Sequence, residues 1–459
     1  MPVVSVPVAY TEAASWHLAR PADRIDRSGW WTLYGDSELN RLEARMDTES
    51  PTLAASLASF GRARAFAAQA EAGVFPHLSI GGQIQTDRQS NRRPRRSRGQ
   101  PNQYLNNDVD VEAVYELDLW DRVANSVKAG RAAAEASAAD LAAARLSLHA
   151  ELADDYIMLR GLDMQADVLV RTVASYRQAL ELTERRFAGK IASMLDVSRA
   201  ETQFDDASAQ VADIGARRAV LQHALATLVG LTPEQLSIPP STAALRMPVI
   251  AAGLPSSLLQ RRPDIASAER QMTAANASIG VARAAFYPTV SLDLVYGLMA
   301  SSFNIFSLPD NFWALGPGLT LPLFEGGLRR AEESAAVEAY RLAVANYRGT
   351  VLTAFQEVED SLAQIEFLGR EARDEEAAAA AAQKTEAVST ELYKDGATSY
   401  LEVVTAQTAA LQAERAVADL LARRLEASVA LIRALGGGWT EHDLPDTKGL
   451  SVAQAGTGP

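Results

Sequence analysis

The sequence predicts a mixed α and β membrane protein in which one structural unit occurs twice, each time as a helix, two strands and a long helical hairpin. Three observations support this fold class. The segment 186–197, RFAGKIASMLDV, returns about 206 residues later as 392–403, LYKDGATSYLEV. Two long proline-free stretches carry heptads of apolar residues, and four short segments alternate apolar with polar residues. Because such repeats indicate duplicated structural units, each element is expected once in each half.

The predicted elements follow the same order in both halves. An N-terminal extended segment covers residues 1–36, a proline-containing linker covers 232–253, and a C-terminal tail covers 439–459. The first repeat, 37–231, is predicted to contain a helix over 37–73, strands over about 78–86 and 108–119, and a helical hairpin over about 122–229. The second repeat, 254–438, is predicted to contain a helix over 255–286, strands over about 289–298 and 312–323, and a hairpin over about 327–435.

The long helices are expected in the two stretches without proline, which run from Asn102 to Thr232 and from Leu323 to Leu444. Proline disrupts helix interiors, and apolar heptads sustained over four or more repeats are typical of coiled-coil packing. A helix of about 60 residues before each tip is roughly 90 Å long. Two antiparallel hairpins of this length are expected to pack against each other and against other subunits.

The four alternating segments have the length of strands that cross a bilayer at a tilt. The second strand carries Asp110, Glu112, Glu116 and Asp118 on one face, and the third strand adds Asp293. These acids are predicted to face a water-filled lumen; a half-exposed sheet in a soluble protein is the alternative. Four strands do not close a barrel, and lipid does not tolerate open edges. A barrel shared between subunits is therefore expected, with eight strands in a dimer or twelve in a trimer.

Composition and motifs argue against several classes of protein. The net charge of −13 argues against a nucleic-acid binder, and the absence of cysteine excludes thiolate metal sites and cysteine nucleophiles. The five histidines are scattered without metal-ligand spacing, and Gly189-Lys190 lacks the rest of a phosphate-binding loop. We therefore expect no enzymatic activity, no cofactor and no bound metal.

Two further features concern membranes. No run of about 18 apolar residues predicts a transmembrane helix, and the first residues lack the pattern of a signal peptide. The expectation is either a cytosolic protein or one whose leader was removed. A basic run from Arg88 to Arg98 lies between two predicted strands. It is interpreted as an outer loop that either contacts anionic lipid or sugar phosphates or is simply solvated.

Several short motifs are spread along the chain from about residue 30 to about residue 440. The most distinctive is 254–265, LPSSLLQRRPDI, followed by 285–288, AFYP. Others are WWTLYGD at 30–36, YELDLW at 115–120, LPLFEGG at 321–327, AFQEVED at 354–360 and LGGGW at 435–439. In combination they resemble the TolC/OprM outer-membrane efflux channels, in the NodT-type lipoprotein branch of that family.

The resemblance implies a homotrimer whose four strands per subunit form a 12-stranded β-barrel in the outer membrane, continuous with a 12-helix periplasmic α-barrel. It implies an exit duct of a tripartite efflux system, supplied by a periplasmic membrane-fusion adaptor and an inner-membrane pump, usually of the proton-driven RND type. The native precursor would be anchored in outer-membrane lipid through a lipidated cysteine, which this chain lacks. Transport would be passive, with iris-like opening of the periplasmic helix tips.

Other functions stay open at this point. The alternatives are the outer-membrane component of type I protein secretion, a non-conducting periplasmic coiled-coil scaffold, and a cytosolic helical interaction protein. Among ducts, the sequence leaves open whether the substrate is a drug, a metal ion, an organic acid or a protein, because the pump selects it.

The resemblance also implies roles for the hairpin tips. Family tips carry a glycine in the turn. Gly396 matches it, whereas the first tip has Lys190 at that position and Gly189 one residue earlier, which leaves the geometry of that turn open. In the family an acid and a tyrosine, here Asp196 and Tyr393, are bonded to hold the gate. The tip residues that would contact the adaptor are Gly189, Lys190, Ile191, Gly396, Ala397 and Thr398.

The constriction would lie at the start of the last long helix. Thr398 occupies the position of a family arginine that bonds the acid, so the gate is expected to be held more weakly or by another pair, such as one with Arg199. Leu401 and Glu402 match constriction positions, and Thr405 replaces a second acid. Acids there would favour cations. The second hairpin is expected to move as the inner one, and the first to form the outer wall.

Overall fold

The computed structural model describes residues 29–90, 92, 99, 101–243, 245–250, 261–301 and 310–439. These residues belong to two compact units. Unit 1 takes its described residues from Met1–Ala58, Ala139–Ala266 and Arg348–Leu444, and unit 2 from Ser59–Ala138 and Ser267–Tyr347. Most of the predicted extended N-terminal segment, most of the basic run and nearly all of the predicted tail lie outside the described residues. Within those residues, no helix combines the length and apolarity needed to span a bilayer.

Unit 2 contains a four-stranded antiparallel sheet in the order β1-β2-β3-β4. Asp110 lies opposite Gly81 of the first strand and Gly297 of the third, which defines the register. In the described part of the chain, β1 pairs with β2 alone and β4 with β3 alone, so the sheet has two free edges. The strands are β1 (His77–Arg88), β2 (Gln103–Glu116), β3 (Thr289–Ala300) and β4 (Asn311–Thr320).

The two faces of this sheet differ in chemistry, because successive side chains of a strand point to opposite faces. The polar face carries Asp110 and Glu112 of β2 and, by register, Asp293 of β3. The opposite face is apolar and open: Ile80 is 76% exposed and Trp313 is 68% exposed. Exposed apolar faces of this kind mark surfaces that contact lipid or another protein.

The described residues form seven α-helices and two short 3-10 turns, the turns at Trp30–Tyr34 and Pro233–Gln235. The third and sixth helices have 67 residues each, the fourth and seventh have 35 each, and each later helix begins 206 positions after its counterpart. The helices are α1 (Ser37–Glu49), α2 (Pro51–Ala72), α3 (Arg122–Ala188), α4 (Met194–Leu228), α5 (Pro263–Ala284), α6 (Leu328–Lys394) and α7 (Tyr400–Ala434).

The N-terminal region differs from the expectation in two ways. The segment predicted to be extended up to residue 36 contains the 3-10 turn, and the helix predicted over 37–73 is two helices. Asp36 caps α1 by accepting the backbone N–H groups of Glu38 and Leu39 at 2.8 and 2.9 Å. Ser50 is extended because the residue before a proline, here Pro51, is restricted to that region.

Two strands end earlier than predicted. The strand expected to reach residue 119 ends at Glu116, and the strand expected to reach 323 ends at Thr320. Asp118, predicted to lie on the lumen face, lies beyond the strand. It accepts the backbone N–H groups of Val123 and Ala124 at 3.0 and 2.7 Å and so caps α3. The first backbone N–H groups of a helix have no partner within the helix, so the Asp118 carboxylate bonds to those of α3 and does not continue β2.

The core of unit 1 joins the 3-10 turn and α1 to α3, α4 and α7. A buried ion cluster completes it: Asp163 accepts hydrogen bonds from Arg160 at 2.9 Å and from Arg218 at 2.6 Å. Both arginines also donate to backbone carbonyls of the segment after α4, at Pro239 and Ile238. The linker between the halves is therefore tied to the first hairpin by charged donors.

Candidate gate at the hairpin tips

The two hairpin tips have the same backbone geometry. At the first tip the Lys190 and Ile191 N–H groups donate to carbonyls three and five positions earlier, at 2.9 and 2.8 Å. At the second tip the Gly396 and Ala397 N–H groups do the same, at 3.0 and 2.8 Å. Lys190 and Gly396 both adopt left-handed φ values, 61° and 76°. The early Gly189 thus leaves the turn unchanged but puts a lysine in a conformation that costs roughly 1–2 kcal/mol for a residue with a Cβ.

Asp196 closes a capping box at the start of α4. Its carboxylate accepts hydrogen bonds from the Ser193 N–H at 3.1 Å and the Ser193 hydroxyl at 2.7 Å, and its own N–H donates to that hydroxyl. Arg199 lies 3.8 Å from the same carboxylate, one turn along the same helix. The bond between Asp196 and Tyr393 that the resemblance implies is therefore not formed, because the acid is used by its own helix, and Arg199 does not join the hairpins.

Arg186, near the end of α3, joins the two tips instead. Its guanidinium donates to the backbone carbonyl of Tyr393 at 2.6 Å and to that of Lys394 at 2.7 Å. The guanidinium carbon lies 4.6 Å from the centroid of the Tyr393 ring. These are among the last carbonyls of α6, which have no partner inside the helix and attract a cation; the Tyr393 carbonyl also accepts the Gly396 N–H of the turn. One side chain of the first hairpin therefore holds the end of α6 in the second.

Tyr393 also packs on Tyr400, the first residue of α7, with ring centroids 5.2 Å apart. Burial raises the pKa of Tyr400 to about 12. The Tyr393 hydroxyl is buried and has no hydrogen-bond partner within the described residues. Sequence reasoning missed both Arg186 and Tyr400. The sequence signal for this contact was the difference between the two repeats at one position, which is Arg186 in the first and Leu392 in the second.

The predicted constriction residues Leu401, Glu402 and Thr405 share one exposed face at the start of α7. The Thr405 hydroxyl donates to the Leu401 carbonyl at 2.9 Å and so stays on its own helix. Ser399, the N-cap, makes no side-chain cap, unlike the first tip. Thr398, before it, is half-buried. The start of α7 therefore presents an acid, an apolar residue and a threonine on a face with few local constraints.

Four of the five predicted lumen acids lie within the strands. Asp110 and Glu112 share the polar face of the sheet with Asp293, which accepts the Ser291 hydroxyl at 2.9 Å. Glu116 ends β2 on the same face and accepts the Nε of Arg122 at 2.7 Å. The sheet thus concentrates negative charge on the side opposite its exposed apolar face.

This chain is similar to known proteins along most of its length. The family profile described as outer membrane efflux protein matches residues 45–231 and 254–437. The pyoverdine export outer membrane protein OpmQ of Pseudomonas putida is 32% identical over 443 residues, covering 93% of this chain and 92% of OpmQ. Outer membrane protein OprJ of Pseudomonas aeruginosa is 32% identical over 435 residues, covering 94% and 91%.

A solved structure gives the same assignment. The outer membrane protein VceC of Vibrio cholerae superposes with a TM-score of 0.84 at 28% identity, covering 90% of this chain and 98% of VceC. The family drawn from the motifs is confirmed, and it consists of efflux proteins of the outer membrane. This chain belongs to the outer membrane efflux protein family.

Proposed function

We propose that this chain forms the outer-membrane exit duct of a tripartite efflux system, as a homotrimer that passively conducts substrate from an inner-membrane pump of RND type and a periplasmic adaptor. The sheet would lie in the outer membrane and the hairpin tips in the periplasm, with a lipid anchor on the precursor as in the family branch. The observation that carries this proposal is the two-faced sheet, β1 to β4, with one exposed apolar face and one acidic face. Lipid stabilises the first face and a water-filled lumen the second.

The free edges of the sheet support an oligomer. Each unpaired strand edge carries backbone N–H and C=O groups that lipid leaves unsatisfied at a cost of several kcal/mol per group. Pairing of β4 in one copy with β1 in the next satisfies both edges at once. Three copies give twelve strands, enough to enclose a lumen.

A row of aromatic side chains supports the membrane placement. Phe75 precedes β1, Trp120 follows β2, Tyr287 precedes β3 and Phe324 follows β4, and all four are exposed. Because the strands are antiparallel, these positions lie at one end of the sheet. The Trp120 ring stacks on Tyr287 with centroids 4.7 Å apart. Aromatic girdles of this kind mark the boundary between membrane and water.

The tips supply the gate in this proposal. The exposed face of α7 with Leu401, Glu402 and Thr405 lines the constriction, and the adaptor contacts both turns. Arg186 resists opening because the tip of α6 must leave its two hydrogen bonds to move. Opening is an outward movement of the second hairpin that breaks this clamp.

The proposal is tested by conductance. We expect the purified chain to run as a heat-modifiable trimer and to form cation-selective channels in planar bilayers, because Asp110, Glu112 and Asp293 line the lumen. Asp110→Asn with Glu112→Gln should lower the cation preference without closing the channel. Glu338→Gln, at an exposed acid of α6 that pairs with Arg341 of its own helix, is the matched control.

Two results would contradict the duct. A folded trimer that never conducts, even with Arg186→Leu and Glu402→Ala, would identify a scaffold. A chain found only in the soluble fraction, with no trimer in detergent, would identify a cytosolic interaction protein. Restored drug efflux in a strain that lacks its own outer-membrane channel but keeps the adaptor and pump would support the tripartite role.

A further inference from the structure

A cavity of about 470 Å³ opens on unit 1 where α3, α4 and α7 meet. Pockets that hold small organic molecules have volumes of this order. Apolar side chains supply most of its surface, among them Met158 and Leu162 of α3 and Val220 of α4. Met158 is 40% exposed and Val220 is 66% exposed, so a molecule arriving from water reaches this apolar lining directly. We call this cavity the wall pocket.

The charged side chains of the wall pocket leave an excess of negative charge. Both of its arginines, Arg217 and Arg423, are paired with acids that lie outside the pocket, at 2.9 and 3.4 Å. Asp419 and Glu426 of α7 also line it, and neither forms an ion pair within the part of the chain that the structure describes. Burial and the neighbouring Asp419 raise the pKa of Glu426, an effect that Arg423 offsets in part.

A third carboxylate, that of Asp154 on α3, lies beside these two acids. Asp154 precedes Met158 by four residues and therefore shares its face of the helix. Burial and the charge of Glu426 raise the pKa of Asp154 to about 7. One oxygen of Asp154 is buried and accepts no hydrogen bond from the described residues. Because carboxylates this close disfavour each other's charged form, a cation bound among them is stabilised.

The wall pocket lies on the side of α3 that faces away from α1 and the linker. Tyr156 donates to the N-cap of α1 at 2.8 Å, and Asp163 accepts a backbone N–H of the linker at 3.0 Å. Met158 and Gln165 each follow one of these residues by two positions, which is a rotation of about 200° around the helix. In the proposed duct, α1 and the linker would fill the lumen if they faced it, so the wall pocket faces the lumen.

We propose that the wall pocket is a binding subsite for an organic cation with an apolar body, which the cation occupies on its way through the duct. The apolar body packs on Met158, Leu162 and Val220, and the positive group lies at Glu426 and Asp419. The flexible thioether of Met158 adapts to bodies of different shape. This inference rests on the proposed duct for its position in the lumen, and it adds the chemical class of a substrate that the passage binds.

Protection of a single thiol tests the site, because the chain contains no cysteine of its own. Val220→Cys places a thiol at the mouth of the wall pocket. In the full chain reconstituted in liposomes, its reaction with N-ethylmaleimide should slow as ethidium, a planar aromatic cation, is added. Fluorescein, an anionic dye of similar size, should not slow it. Ala209→Cys, exposed on the same face of α4 and about 16 Å away, should react at one rate with and without ethidium.

Substitutions in the Val220→Cys chain then separate charge from shape. Glu426→Gln should raise the ethidium concentration needed for half protection roughly tenfold, because the cation loses a charged partner at a partly buried site. Glu338→Gln removes an acid of α6 that pairs with Arg341 of its own helix and should leave that concentration unchanged. Met158→Trp should fill the pocket and abolish protection in a chain that still forms trimers.

The outcomes separate this inference from the proposed function. Absent protection, or equal protection in the Ala209→Cys chain, overturns the subsite. Equal protection with and without Glu426→Gln overturns the assignment to a cation. A thiol at position 220 that reacts only after denaturation would mean that a second copy covers the pocket, which also overturns the subsite. Each of these results in a conducting trimer keeps the duct, whereas protection in a chain that never conducts keeps the pocket and overturns the duct.

Discussion

The two halves of unit 1 share a backbone plan, and three of the positions at which their side chains differ concern the core and the tips. The long helices match in length, and the tips match in hydrogen-bond pattern. At offsets of 206 positions, buried His149 corresponds to Phe355, Arg186 to Leu392, and Lys190 to Gly396. The first half therefore carries the titratable core residue, the clamp and the strained turn.

In the proposed duct, this difference gives the two halves different roles. The second hairpin is apolar where the first is charged, and its turn is unstrained. A hairpin that must move benefits from few fixed polar contacts of its own, whereas the hairpin that holds it needs donors aimed across the contact. Each of the three places offers a substitution that makes the halves more alike.

The largest expected effect concerns the buried pair in the first half. The His149 Nδ1 lies 2.6 Å from a Glu43 carboxylate oxygen, with Asp47 on the other ring nitrogen at 3.2 Å and Trp31 stacked on the ring. Burial raises the pKa of Glu43 to about 9 and lowers the pKa of His149 to about 4. Their ordinary values are 4.5 and 6.5. Arg145, which is paired with Asp47, also disfavours a charged imidazole.

The sign of the pH dependence follows from the number of bound protons. Between pH 4 and 9 the folded pair of Glu43 and His149 holds one proton. The unfolded chain holds two below 4.5, one between 4.5 and 6.5 and none above 6.5. The contribution of this pair to stability should therefore be highest between about pH 4.5 and 6.5 and should fall above that range by about 1.4 kcal/mol per pH unit. By pH 9 the loss is about 3 kcal/mol.

Thermal unfolding of the helical signal in detergent, measured from pH 5 to 9, checks this dependence. The double variant Glu43→Leu and His149→Phe, which removes both titratable groups and gives position 149 the phenylalanine found at position 355, should flatten the profile above pH 6.5. His223→Phe, at an exposed histidine of α4, should leave the slope as it is. An unchanged slope in the double variant would mean that other groups cause it.

The clamp gives the second effect. Arg186→Leu copies the residue of the second half and removes two hydrogen bonds from a charged donor, at a cost of about 2 kcal/mol to the arrangement that the proposed gate takes as closed. Single-channel recordings should then show roughly a tenfold or larger increase in open probability. Arg185→Ala is the matched control, because Arg185 is exposed and pairs with Glu181 of its own helix. An equal open probability in the two variants would show that Arg186 does not hold the gate.

Short-range sequence patterns predicted much of this fold, and long-range contacts explain what they missed. The alternation of apolar and polar residues located the two-faced sheet. β2 nevertheless ends before Asp118, because the Asp118 carboxylate accepts a backbone N–H at the start of α3. The motifs located the tips and the family. They gave no indication of the Arg186 clamp, since its acceptors are backbone carbonyls 207 and 208 residues away. Backbone acceptors leave no residue type in the sequence by which to recognise them.

The smallest effect tests whether the two turns are interchangeable. An added Cβ on Gly396 meets no atom within 4 Å, so Gly396→Lys should cost only the backbone strain of a left-handed residue, about 1 kcal/mol. Lys190→Gly should relieve the same strain at the first tip, and Lys190→Ala, which keeps the Cβ, should not. The exchange of both residues should nearly cancel, provided the two turns act independently.

Amide hydrogen exchange at Ile191 and Ala397 measures these changes, because their N–H groups close the two turns. A change of 1 kcal/mol alters an exchange rate about fivefold. We expect slower exchange at Ile191 in Lys190→Gly and faster exchange at Ala397 in Gly396→Lys. If Gly396→Lys instead changed exchange at Ile191 as well, the two tips would be coupled. The backbone strain at Lys190 would then affect the proposed gate and would not be confined to the turn of the first hairpin.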